Sequence, residues 1–262
     1  KKYVHPDQVR MLVVGKQADF DKPLSTFGTV TPVDITIPQP GASAAPAEGN
    51  AAGQALAFKV REFVGGKARL DAVTSVRYST SMSRQTPQGP MAIDSEILFV
   101  FPGRVRSVMK MPMGEMTMVL TPDAAFMSMG GMGTRDIPAS QRDAMEAESK
   151  LDVLTVMKYP ERYTFAVTGT DQVGDVQAQV LEVSSEGDSV KWLVDPTTGK
   201  VLRKVAKGEQ VTEYGEWKSF EGIMFPTESR IIVNGEQVGT SQAKAIEVNP
   251  AVDAAAFERP AA

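Results

Sequence analysis

From about residue 72 onward, apolar and polar positions alternate with a period of two, and clusters of turn-forming residues break the alternation at short intervals. In the first half the breaks are Thr86 to Pro90, Pro102-Gly103, Pro112 to Glu115 and Thr121 to Asp123. In the second half they are Gln172 to Asp175, Ser185 to Asp188, Asp195 to Gly199, Lys207 to Glu209, Phe220 to Gly222 and Asn234-Gly235. Segments spaced by roughly 10 to 13 residues suit antiparallel hairpins and leave no room for the crossover helix of a parallel pair. Roughly ten or more strands are expected, and an open sheet of that width must curl. The predicted fold class is therefore α+β: one large curved antiparallel sheet, an open half-barrel, with helices in or across its concave face.

Two stretches depart from the period of two. Between Gln54 and Val64, Leu56, Phe58, Val60, Phe63 and Val64 recur at three- and four-residue spacing, and Gly65-Gly66 supplies a stop, which predicts a helix. Between Pro138 and Val156, Met145, Leu151, Leu154 and Val156 predict one helix or two short ones. Towards the N-terminus, Gln8 to Gly15 reads as a short buried strand, and Thr29 to Pro40 as an extended run interrupted by prolines. Gly41 to Asn50 is built from small residues and has the composition of a linker. The expected organisation is a tail over 1–40, a linker over 41–52 and a domain over 53–262. The chain opens on Lys1-Lys2-Tyr3, which suggests numbering that begins inside a longer precursor.

Of the 262 residues, 42% are hydrophobic and 23% charged, with a net charge of −4, so a full core is expected and no electrostatic footprint for nucleic acid. No apolar run reaches the roughly 18 residues that a membrane-spanning helix needs. His5 is the sole histidine and cysteine is absent, so neither a histidine-based zinc-peptidase motif nor a Cys/His zinc site can be assembled from this sequence. A Ser-His-Asp triad would have to recruit His5 beside Pro6 in a terminal segment. Ser107 and Lys110 match a catalytic S-x-x-K by letter, but in a strand i and i+3 point to opposite faces. Thr197 to Lys200 ends like a phosphate loop without its first glycine, and Asp195-Pro196 marks it as a hairpin turn. No catalytic, metal or cofactor site is expected.

Methionine is the unusual local feature, because eight of fourteen fall between Met109 and Met132. In strand geometry Met109 and Met111 share a face with Val105, Met116 and Met118 with Leu120, and Met127 and Met129 with Ala125. Three adjacent strands would then present one thioether-lined patch. It could be filled core, an adaptable pocket for an acyl chain or apolar peptide, or a soft-metal site for Cu(I). The candidate ligand-binding face is Met109, Met111, Met116, Met118, Leu120, Met127 and Met129. Trp192, Trp217, Tyr214, Phe220 and Phe225 read as core aromatics.

Tyr3 to Asp7, Met11 to Gly15, Phe20 to Leu24 and Phe27 to Val30 together resemble the last strand and tail of an insulinase-like (pitrilysin-type) zinc peptidase. That resemblance covers residues 1 to about 40 and includes none of the family's zinc motif. Further on, the helix ending at Gly65-Gly66, the long meander, Trp192 to Gly199 and Gly222 to Thr227 resemble LolA/LolB-type lipoprotein-sorting domains. This second resemblance implies a periplasmic, or otherwise extracytoplasmic, half-barrel that shelters lipid. It implies as partners an acyl chain, a lipoprotein or an apolar peptide, and an upstream peptidase domain.

Overall fold

The computed structural model describes residues 22–26, 46–86, 89–111, 114–130, 132–206 and 210–260. The strand expected over Gln8 to Gly15, the run Thr29 to Pro40 and most of the peptidase-like tail lie outside the described residues. The chain divides into two units, Lys1–Ala44 and Ala45–Ala262. In the first, Leu24–Thr26 forms a single 3-10 turn, closed by the Thr26 amide donating to the Pro23 carbonyl at 3.0 Å.

The second unit opens on helix α1 (Ala51–Val64). The Asn50 side chain accepts from the Gly53 amide at 2.7 Å and so caps the helix start. The same side chain exchanges bonds with the backbone of Val167, donating at 3.1 Å and accepting at 3.2 Å, and thereby covers part of a sheet edge. Helix and edge lie so close that a Cβ on Gly53 would sit 2.3 Å from the Phe165 carbonyl oxygen. Gly65 ends α1 with φ 154. A short helix α2 (Gly66–Ala72) follows, over residues for which the sequence pattern predicts no element. Its seven residues carry one buried apolar side chain, Leu70, too few for a periodic signal. The later helical region is two helices, α3 (Ala139–Lys150) and α4 (Val153–Lys158), with Asp152 capping α4 through the Leu154 amide at 2.9 Å.

Fifteen strands are present among the described residues. The first group is β1 (Ser75–Thr86), β2 (Gly89–Val100), β3 (Arg104–Met111), β4 (Gly114–Leu120), β5 (Ala125–Met129) and β6 (Gly133–Asp136). After the helices come β7 (Thr164–Val173), β8 (Val176–Ser185), β9 (Asp188–Val194), β10 (Val201–Val205) and β11 (Val211–Tyr214). The chain then forms β12 (Trp217–Phe220), β13 (Ile223–Pro226), β14 (Glu228–Val233) and β15 (Glu236–Val248). Thirteen of them make one curved antiparallel sheet in the order β6-β5-β4-β3-β2-β1-β15-β14-β11-β10-β9-β8-β7. Every neighbouring pair is a hairpin except β1–β15 and β11–β14, and these two long-range pairings join the pieces. The β12–β13 hairpin leaves the main sheet and pairs only with itself.

The main core lies between one face of this sheet and helices α1, α2 and α4. Leu56, Val60, Leu70 and Met157 from the helices meet Phe165, Leu181, Trp192 and Phe225 from the strands. Full burial of each such side chain contributes roughly 1.5–3 kcal/mol. Asn249 ties the start of β1 to the end of β15: its side chain accepts from the Thr74 amide at 2.7 Å and donates to the Ala72 carbonyl at 3.1 Å.

Candidate functional site: the inner face of the sheet

Register fixes which side chains share the inner face, because directly opposed residues point the same way. Val76, Phe99, Val105, Leu120 and Ala125 form one row across β1 to β5. Tyr78, Ile97, Ser107, Met118 and Met127 form the next, and Thr80, Ser95, Met109, Met116 and Met129 the third. Met111 alternates with Met109 on β3 and joins them. All seven positions singled out from the sequence therefore lie on one face, the face on which Val76 enters the main core.

Their surroundings differ. Leu120 and Met127 are buried, with Ala125 and Ile137, against Val105, Met118 and Met145 of α3. Arg135 donates from Nε to the Met127 sulfur at 3.1 Å. Met109, Met111, Met116 and Met129 are half-buried. The reverse side of the same strands packs Leu98, Val119 and Phe126 on Phe257 from the C-terminal segment.

Further along the inner face lies a cavity of about 210 Å³. Val64 of α1, Thr80, Ile97 and Phe99 of the sheet, and Val153 and Leu154 of α4 supply apolar walls. Met224, Phe225 and Pro226 of β13 complete them. The detached β12–β13 hairpin is thus what turns an open sheet face into a pocket. None of the seven predicted positions lines the cavity, although Tyr78 and Ile97 share a row with Met118 and Met127.

A small polar group is set among these walls: Tyr78, Tyr214, Trp217 and Asp152. Aromatic edges hold it in place, with Tyr78 5.4 Å from Phe225, Tyr214 5.6 Å from Trp217, and Trp217 5.4 Å from Phe63, centroid to centroid. Neither phenol hydroxyl has a hydrogen-bond partner among the described residues, and the buried Trp217 indole N–H has none either. Burial pushes both phenols well above the ordinary tyrosine value, and the negative charge of Asp152 pushes them further. Tyr214 and Trp217, expected as core aromatics, do pack against the main core, and they line the cavity as well. A second cavity of about 220 Å³, between the β12–β13 hairpin and β15, is polar, and the Lys218–Glu216 ion pair at 2.9 Å borders it. Among the described residues no cluster of three or more His, Cys, Asp or Glu is arranged to hold a metal, and no helix is long and apolar enough to cross a membrane.

No family model matches the chain, and no curated protein matches it. Solved structures do. A LolA superfamily protein, NE2245 from Nitrosomonas europaea, is similar at 12% identity with a TM-score of 0.55, over 79% of this chain and 97% of that one. A putative outer membrane lipoprotein-sorting protein domain from Vibrio parahaemolyticus is similar at 9% identity and a TM-score of 0.55, over 79% and 97%. A DUF1329 family protein from Desulfovibrio piger is similar at 12% identity and a TM-score of 0.56, over 80% and 98%. The chain has the LolA-type fold, a wide curved antiparallel sheet with few helices. At these identities the likeness is one of fold.

Proposed function

We propose that Ala45–Ala262 is a non-catalytic, extracytoplasmic binding module that shelters an acyl chain of a lipid or lipoprotein between the sheet and α4. The observation that carries this reading is the apolar cavity on the inner face, closed by aromatic side chains from five separate strands. Support comes from the LolA-type fold, shared with a structure named as a lipoprotein-sorting domain. In this reading Met109, Met111, Met116, Met118, Leu120, Met127 and Met129 extend the apolar wall beyond the cavity. Unbranched thioethers repack around chains of different length at little cost. The likeness of residues 1–40 to a peptidase tail adds that the module is carried behind a zinc peptidase and serves it as a ligand-holding appendage.

A second reading, an interaction domain with a filled interior or a pocket for an apolar peptide side chain, is favoured by one observation. At about 210 Å³ the cavity is below the roughly 300–1,000 Å³ of ordinary ligand pockets. Fluorescence titration with N-phenyl-1-naphthylamine separates the two. The acyl-chain reading expects saturable one-to-one binding that is lost in a folded Ile97→Trp variant, whose indole fills the cavity. Binding that is absent, or that survives Ile97→Trp unchanged, supports the interaction domain.

A further inference from the structure

The cavity's polar group has an electrostatic sign. Tyr78 and Tyr214, whose hydroxyls have no hydrogen-bond partner among the described residues, line a mostly apolar space, and the one charged side chain among the described lining residues is the carboxylate of Asp152. Among the described residues no Lys, Arg or His lines it. The ammonium of Lys158 on α4 is committed elsewhere, to the carbonyls of Leu70 at 2.8 Å and Asp71 at 3.0 Å. Glu148 adds a second negative charge acting on Tyr214.

A phenol hydroxyl donates well to a neutral carbonyl. A ligand carboxylate brought to the same place would meet Asp152 in a low-dielectric pocket with no cation to neutralise it. The geometry points to a charge filter: the cavity accepts acyl groups whose carbonyl is esterified or amidated, rejects the free carboxylate, and owes that discrimination to Asp152. This rests on the acyl-chain reading above and assigns its specificity residue. Tyr78 and Tyr214 are the donors that meet the carbonyl.

The substitution Asp152→Asn is unusually clean, because Asp152 also caps α4 through the Leu154 amide at 2.9 Å and asparagine caps equally well. The charge goes and the helix start stays. The test is calorimetric titration of the full chain with decanoate and with methyl decanoate at about pH 8, where decanoate is an anion. The charge filter expects D152N to tighten decanoate by roughly tenfold and to leave the ester within about twofold. Tyr214→Phe is expected to weaken the ester by roughly fivefold, the equivalent of one hydrogen bond. An unchanged decanoate affinity in D152N overturns the filter while the acyl-chain reading stands. If the unmodified chain binds neither ligand, the acyl-chain reading falls and the filter falls with it.

Discussion

The two ends of the inner face bury apolar surface in different ways. At the end formed by β7 to β10, α1 and α4 close over Trp192, Phe165 and Leu181, and these side chains are almost wholly excluded from solvent. At the β3 to β5 end the cover is a single flank of α3, and five of the seven predicted positions stay half-buried. One end is branched, aromatic and fully covered; the other is rich in unbranched methionine and only partly covered. The cavity lies between them, under α4 and the β12–β13 hairpin. The contrast assigns stability to the first end and conformational tolerance to the second.

The largest expected effect is on the closed end. Trp192→Ala should cost about 3–5 kcal/mol in urea unfolding, and Met116→Ala at the open end less than about 1.5 kcal/mol, because a half-buried side chain leaves no sealed void. Equal costs would erase the distinction between the two ends. Next comes the seam between α1 and the sheet edge. In an exposed helix, alanine would gain about 1 kcal/mol over glycine. At Gly53 the new Cβ would meet the Phe165 carbonyl oxygen at 2.3 Å, so Gly53→Ala should be net destabilising by about 1–3 kcal/mol. A stabilised variant would mean that α1 is free to move away from β7.

The smallest effect is a pH dependence. Tyr78 and Tyr214 are held neutral by burial, and burial pushes Tyr163 up to about 12. A folded-state value above the unfolded one means that the native state keeps protons the unfolded chain has released. The contribution to stability is therefore full below about pH 10 and declines as pH rises through the folded values, at up to about 1.4 kcal/mol per pH unit for each phenol. Tyr78→Phe should flatten the alkaline arm of the stability curve measured by urea unfolding. An unaltered arm would place the loss elsewhere.

What was legible in the sequence was local. Pro102-Gly103 and Asn234-Gly235 announce turns through their own backbone preferences, and both stand at hairpins. The shared face of Met109, Met116 and Met129 follows from a period of two, once β3, β4 and β5 are neighbours. Helix α1 was visible in its spacing, while α2 carries one buried apolar residue and gives no period. The cavity was not legible, because its lining is assembled across long sequence separations. Val64, Tyr78, Asp152 and Trp217 meet only after β1 pairs with β15 and β11 skips a hairpin to pair with β14. Nothing in the residues 217–226 says that this hairpin leaves the sheet to wall a pocket. The methionines are clustered in the chain; the cavity residues are clustered only in space.

The central claim, that the inner face holds an acyl chain, is tested most directly by mass spectrometry of small molecules extracted from the purified protein. A Met116→Glu, Met118→Glu variant, checked for folding by circular dichroism, is extracted alongside. The acyl-chain reading predicts acylated lipid enriched in the unmodified protein and depleted in the variant. Lipid present equally in both would contradict a role for the methionine wall, and no lipid in either, with none taken up when added back, would contradict the claim itself.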